Sequence, residues 1–283
     1  MIPSRQQSEG SRALPDLGRR LRHSLLALAV CAATAAPPGS ARADLYSDAV
    51  AHAGRPDGDI KRDTIDHPAQ VLRLAGIRRG MQVADFLAAD GYYSELLSYI
   101  VGPRGRVYLI NNAAYDKWSE NEWQGRIERL PNVEHRTVEV EHLGLPARSL
   151  DAIILIKVYH DLYWQPNSGP WPKIDPDATL TEIARVVKPG GILLLVDHSA
   201  KPGTGSADAG TLHRIDEQYA RHDFENHGFM FVRQSDVLRR VDDPRDMITY
   251  KGEMVGKTDR FVLVFRRSAA HAGTQSPKTP ATP

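Results

Sequence analysis

Thiols are nearly missing from this sequence. Its 283 residues include one cysteine, Cys31, and that residue lies in an N-terminal segment that reads as an export signal. With the signal removed, no cysteine remains, which excludes disulfides, thiolate metal sites and cysteine nucleophiles. Charge of one sign is lacking too: 36 Lys and Arg against 35 Asp and Glu leave a net charge of +1. There is no global basic field to draw phosphates, so no nucleic-acid partner is expected. No internal repeat is present. Hydrophobic residues make up 41% and charged residues 25%, which suits a soluble chain with a real core. The length allows one large domain or two small ones.

The expected signal occupies residues 1–43. Arg19, Arg20 and Arg22 form a basic cluster, and an apolar run from Leu25 to Ala36 follows, too short to span a bilayer. Ala41-Arg42-Ala43 supplies a small-x-small cleavage pattern, placing the cut after Ala43. The expectation is an exported, periplasmic protein with no stable membrane insertion after cleavage. Arg19-Arg20 leaves Sec and twin-arginine export both open, and Cys31 raises a lipid anchor as a further alternative. The oligomeric state is not legible.

Residues 44–65 are polar, with Gly54, Pro56 and Gly58 interrupting any long element, and read as a short helix and a loop. Residues 268–283 are too poor in apolar groups to pack and read as a disordered tail. Between them, over residues 66–267, strands and helices alternate. Strands are expected over Gln82–Leu87, Arg106–Asn111, Val133–Val140, Leu150–Val158, Ile192–Val196, Phe229–Gln234 and Phe261–Arg266. Helices are expected over Pro68–Leu74 with an Asp66 cap, and over Tyr92–Val101, Trp118–Leu130, Pro176–Val187 and Thr211–Asn226. The nearly continuous apolar strands at 150–158 and 192–196 indicate burial on both faces. The expected fold is α/β: a doubly wound, mostly parallel seven-stranded sheet with helices on both faces. Ligands then bind at the carboxyl ends of the strands.

The segment Glu182-Ile183-Ala184-Arg185-Val186-Val187-Lys188-Pro189-Gly190-Gly191-Ile192-Leu193 resembles the helix, turn and fifth strand of class I S-adenosylmethionine-dependent methyltransferases. The resemblance spans roughly residues 66–267 and implies a Rossmann-like methyltransferase fold with S-adenosylmethionine as cofactor. In Val83-Ala84-Asp85-Phe86-Leu87-Ala88-Ala89-Asp90-Gly91-Tyr92, Asp85 and Gly91 match the family's Asp-x-Gly-x-Gly-x-Gly, while Leu87 and Ala89 replace glycines. The loop either holds the cofactor along a shifted path or has lost it. The resemblance implies that Asn111 stands where an acid grips the ribose, and that Glu139 stands where an acid meets the adenine amino group. Tyr92 flanks the cofactor or packs. Four further stretches, Tyr159-His160-Asp161, Val196–Gly203, Thr211–Asp216 and Gly256–Phe261, are similar to a smaller group of exported predicted methyltransferases, which implies no substrate.

The chemistry-bearing residues gather at expected strand ends. His160 and Asp161 follow the fourth strand, Asp197 and His198 end the fifth, and His213, Arg214 and Asp216 fall one turn apart on the expected next helix. A methyl acceptor bearing O–H or N–H must lose a proton, which suits His160 or His198 as base, with Arg214 as a clamp on an anionic substrate group. The alternative is a hydrogen-bonded network bracing the strand ends. A metal is a further reading of this cluster, but the spacing is irregular and no metal is assigned. Leu162–Pro172, with Trp164 and Trp171 among prolines, is either a lid or a packed flap. The function expected is methyl transfer to a small molecule. The alternative is an exported, non-catalytic metabolite- or metal-binding protein on the same scaffold.

Overall fold

The structure, a computed structural model, describes residues 44–269. The expected signal with Cys31, and residues 270–283 of the expected tail, lie outside the described residues.

Seven strands follow in chain order: β1 (Gln82–Phe86), β2 (Arg106–Asn111), β3 (Val133–Thr137), β4 (Leu150–Ile156), β5 (Val187–His198), β6 (Phe229–Ser235) and β7 (Arg260–Arg267). They form one sheet in the order β3-β2-β1-β4-β5-β7-β6. All pairings are parallel except those of β7, which runs antiparallel to both neighbours. The chain enters at β1, winds outward to β3, then returns to the other side of β1 at β4. The β1–β4 boundary is therefore the topological switch point, where open α/β sheets bind ligands.

Period-two side-chain alternation divides each strand between two cores. Val83, Ala152, Ile154 and Leu194 pack under helices α1 (Leu45–Val50), α3 (Pro68–Ala75) and α4 (Tyr92–Val101). Ala84, Ile153, Leu155 and Leu195 pack on the other face with α5 (Ala113–Trp118), α7 (Pro176–Val186) and α9 (Glu217–Asn226). Among the described residues, no helix is long and apolar enough to cross a membrane.

Local signals explain several boundaries. Asp175 caps α7 by accepting from the Ala178 N–H, with Pro176 at its first position. Gly76 closes α3 in the left-handed region. Lys188–Gly191 bulges from the sheet, because Val187 and Ile192 pair with Leu150 and Ala152, only two residues apart on β4.

Three expectations are corrected. Asp66 does not cap α3; it ends α2 (Asp57–Asp66), and His67 occupies the cap position with φ 43°. Trp118–Leu130 is not one helix: Glu120 and Asn121 turn left-handed between α5 and α6 (Trp123–Ile127). Thr211–Asn226 is likewise split into α8 (Ala209–Leu212) and α9. His213 adopts φ 53°, and Ile215, fully buried, pairs its backbone with the chain beyond β5. The Ile215 N–H donates to the His198 carbonyl at 3.0 Å, and the Ala200 N–H to the Ile215 carbonyl at 2.9 Å. Those sheet-like bonds outweigh helix propensity at this point.

Candidate functional site at the switch point

The carboxyl ends of β1, β4 and β5 open onto a cavity of about 870 Å³. It is lined on the β1 side by Asp85 to Asp90, Tyr92 and Tyr93, and on the β4–β5 side by Lys157, His160, Asp161, His198 and His213.

The loop after β1 bears on the cofactor. Leu87 has φ 51°, Ala89 φ 53° and Gly91 φ 83°. The backbone thus takes the left-handed conformation at all three positions where the family carries glycine, although two of the residues bear a Cβ. Such a conformation costs about 1–2 kcal/mol for a non-glycine residue. The Ala88 N–H donates to the Ile110 carbonyl at 3.1 Å, and the Gly91 N–H to the Ala88 carbonyl at 3.0 Å. A Cβ at Gly91 would stand 2.6 Å from Leu109 Cδ1, so this glycine is needed for close approach as well as for its φ. Leu87 and Ala89 thus adopt a backbone that glycine would adopt, and on this observation the loop fits the cofactor. Asp85 is buried and accepts from Ser94 Oγ at 2.7 Å. Burial pushes its carboxyl up to about 7, with Asp90 adding to the rise against the Ser94 bond and Arg62. The Tyr92 hydroxyl donates to Asp63 Oδ1 at 2.6 Å, and the Arg62 guanidinium lies 3.9 Å from the Tyr92 ring centroid, which ties this loop to α2.

On the β4–β5 side, the Asp197 carboxylate organises the histidines. The His160 N–H donates to its Oδ2 at 2.9 Å, His160 Nδ1 donates to its Oδ1 at 2.7 Å, and the His198 N–H donates to the same Oδ1 at 2.7 Å. His160 Nε2 lies 3.2 Å from His213 Nδ1. Burial opposes charge on His160, but Asp161 and Asp197 outweigh it and raise its pKa to about 9. His198 is the opposite case: burial, together with the cations around it, holds it well below the usual histidine value and therefore neutral. Its Nδ1 pairs with Thr258 Oγ1 at 2.8 Å, and Nε2 has no hydrogen-bond partner among the described residues. Burial works against charge on Asp161, but His160, His213 and the Tyr115 hydroxyl, which donates to Oδ2, hold it ionised.

The aromatic loop divides its roles. Trp164 and Trp171 line the cavity, 5.6 Å apart between ring centroids, and Trp171 meets Tyr115 edge-on at 5.4 Å. Tyr163 turns away and donates to Asp223 on α9.

Sequence reasoning missed a charged cluster at the cavity wall. Asp66 accepts from Arg62 Nε at 2.8 Å, Lys157 Nζ at 3.1 Å and the Arg260 guanidinium. Despite its burial, those three cations hold Asp66 far below the carboxylate range. Burial, reinforced by Arg62, lowers Lys157 to about 8 against the pull of Asp66. The available signals were Lys157 at the end of β4 and Arg260 inside the Gly256–Phe261 stretch.

Four expected site residues are corrected. Arg214 is no substrate clamp. It is fully buried, bidentate with Asp243 at 2.7 and 3.0 Å, and also donates to the Met247 carbonyl at 2.9 Å and the Ser199 carbonyl at 3.0 Å. Asn111 does not reach into the cavity. Its Oδ1 accepts from the Ala89 N–H at 2.9 Å, while Nδ2 donates to the Ala89 carbonyl at 3.0 Å and to Asp116 Oδ1 at 2.7 Å. Glu139 is exposed beyond β3 and does not line the cavity. The acids that do line the β2 side are Glu120 and Glu122. Asp216 caps α9 instead of entering the site.

Residues 86–195 match the family described as a methyltransferase domain. Among curated proteins, the chain is 30% identical over 178 residues to a ubiquinone/menaquinone biosynthesis C-methyltransferase from Enterobacter sp. (strain 638), covering 60% of this chain and 62% of that one. The protein of the same name from Escherichia coli O1:K1 / APEC is 29% identical over 157 residues, 54% of this chain and 55% of that one. The chain spans about half the length of the curated relatives it matches. Among solved structures, a SAM-dependent methyltransferase from Aquifex aeolicus superposes with a TM-score of 0.53 at 23% identity, covering 75% of this chain and 98% of that one. The [4+2]-cyclase SpnF superposes with a TM-score of 0.51 at 14% identity, covering 74% and 81%. The fold is thus the Rossmann-like methyltransferase fold, a seven-stranded, mostly parallel sheet with helices on both faces. Over residues 86–195 the chain is similar to that methyltransferase-domain family, and S-adenosylmethionine is the cofactor the likeness implies.

Proposed function

We propose that the protein is an S-adenosylmethionine-dependent methyltransferase acting on a small, planar, largely apolar molecule with an ionisable oxygen or nitrogen. The observation that carries the reading is the left-handed backbone at Leu87, Ala89 and Gly91 beside the switch-point cavity. A chain with no glycine at two of those positions keeps the glycine conformation against its steric preference, as expected where the backbone must approach a ligand.

When bound, the cofactor supplies an electrophilic methyl group. Residues 85–90 and Tyr92 would hold it, and the cationic cluster of Arg62, Lys157 and Arg260 around Asp66 suits a carboxylate at that end of the cavity. Trp118, Trp164, Trp171 and Tyr115 wall the acceptor side, which favours a flat aromatic body. His198 is neutral, and its Nε2 is the atom that accepts the acceptor's proton. His160, with both ring nitrogens engaged, positions rather than reacts. The quinone-biosynthesis names of the curated relatives support an aromatic acceptor. The basic and apolar pattern of residues 19–43 supports action outside the cytoplasm.

Calorimetry of the purified protein with S-adenosylmethionine, followed by assay against phenolic and quinol acceptors, tests the reading. Micromolar binding with methyl transfer upholds it, and His198→Gln should then lower turnover by about 100-fold with cofactor affinity kept. No binding at millimolar cofactor overturns it. That outcome would leave the second reading, an exported non-catalytic binding protein, which the inward turn of Asn111 favours.

A further inference from the structure

The geometry points to a divalent transition-metal site, zinc by preference, formed by His160 Nε2, His213 Nδ1 and Asp161 Oδ1 at the acceptor end of the cavity. The three atoms form a nearly equilateral triangle: 3.2 Å between the imidazole nitrogens, 3.4 Å from His160 Nε2 to Asp161 Oδ1, and 3.4 Å from His213 Nδ1 to the same oxygen. Ligands at bond lengths of about 2.0–2.1 Å around a tetrahedral ion stand about 3.3–3.4 Å apart, so the triangle has the dimensions of one face of such a site. Two imidazoles and one carboxylate select zinc or iron over magnesium or calcium.

The far side of two ligands is already braced in the way metal ligands require. His160 Nδ1 donates to Asp197, so an ion would displace the proton from Nε2 and bind the lone pair there. The second oxygen of Asp161 accepts from the Tyr115 hydroxyl, which leaves Oδ1 turned toward the two histidines. His213 is held at φ 53° between α8 and α9, with its ring against Trp164 and Tyr250, and that strained backbone aims Nδ1 at the other two. All three residues line the cavity, and three protein ligands leave one coordination position for water or for an oxygen of the bound molecule. The inference does not depend on methyl transfer.

The competing arrangement has no ion: His213 Nδ1 carries a proton shared with Asp161 and His160. Equilibrium dialysis separates the two. The full chain, stripped with chelator and reloaded with zinc, should take up about one equivalent. Cobalt(II) loading should give visible d–d bands of a four- or five-coordinate ion. His213→Ala and the isosteric Asp161→Asn should each lose that equivalent, and Asp197→Asn should weaken it by about 10–100-fold. His227→Gln, outside the cavity, should retain it. Asp161→Asn serves as the reading if His213→Ala fails to fold. A wild-type protein that takes up no zinc, or a folded His213→Ala or Asp161→Asn variant that keeps the full equivalent, overturns the site. Zinc uptake without S-adenosylmethionine binding upholds this site and sinks the methyltransferase reading alone.

Discussion

Asn111 clasps the backbone of Ala89 on both sides of its Cα, accepting from the N–H at 2.9 Å and donating to the carbonyl at 3.0 Å. A side chain at the end of β2 thereby stabilises a loop conformation that glycine would otherwise provide. The same amide donates to Asp116 Oδ1 at 2.7 Å, and Asp116 also accepts from His135 Nε2 at 2.9 Å and from Thr137. Restoring the family's acid with Asn111→Asp would bring two buried carboxylates together and remove the donor to Ala89. We expect a loss of about 3 kcal/mol or more in urea unfolding, because an uncompensated buried charge replaces a paired one. Cofactor affinity should fall with it. A variant as stable as wild type, or tighter for S-adenosylmethionine, contradicts this role.

The two lost glycines should respond differently to being restored. Ala89 is a small residue at φ 53°, so Ala89→Gly removes about 1–2 kcal/mol of left-handed strain against a backbone entropy cost of about 0.5–1 kcal/mol. A gain of roughly 0.5 kcal/mol is expected. Leu87 is 2% exposed and packs in the core beneath the cavity. Leu87→Gly loses that burial, about 3–5 kcal/mol for comparable deletions, and strain relief offsets only part. A net loss near 2 kcal/mol in chemical denaturation is expected. Equal signs for the two variants would refute the strain account.

Asp85 makes stability pH-dependent. Its folded pKa, about 7, lies above the unfolded value of 3.8, so its contribution is fully present below pH 4 and is lost as pH rises through 7. Each unit of difference corresponds to about 1.4 kcal/mol. Asp85→Asn cannot ionise, so its stability relative to wild type should rise by a few kcal/mol between pH 4 and pH 8. Urea midpoints at the two pH values measure this, and a constant difference would count against the buried-acid assignment.

Arg214 should behave as a structural ion. Arg214→Met leaves Asp243 buried and unpaired, although Asp243 still accepts from the Asp259 N–H at 2.6 Å and the Arg245 N–H at 2.9 Å. The expected cost is about 3–5 kcal/mol, with cofactor affinity of the folded fraction unchanged. Adding Asp243→Asn should recover part of the loss. Lost turnover in a variant of wild-type stability would reinstate the clamp role.

Hydropathy in the sequence by itself determined the sheet. The apolar runs at 150–156 and 192–196 have few alternatives to strands buried on both faces, and the intervening helices follow from Pro, Gly and capping residues that act locally. It also determined that His160, Asp161 and His198 meet at one crevice, because strand ends in this topology are adjacent. Only the tertiary structure decided what each polar residue does there. Arg214 and His213 are neighbours in sequence, yet one is locked in an ion pair while the other lines the cavity, because the expected helix breaks here, where His213 turns left-handed and the buried Ile215 pairs with the chain beyond β5. Asn111 looked like a ligand group until Asp116 and Ala89, five and twenty-two residues away, occupied all its hydrogen bonds. Asp66, Lys157 and Arg260 gave no sign of one another across a separation of up to 194 residues. Propensity and hydropathy are short-range properties of a chain, whereas hydrogen-bond partnership and charge pairing depend on distances that exist only once the sheet is assembled.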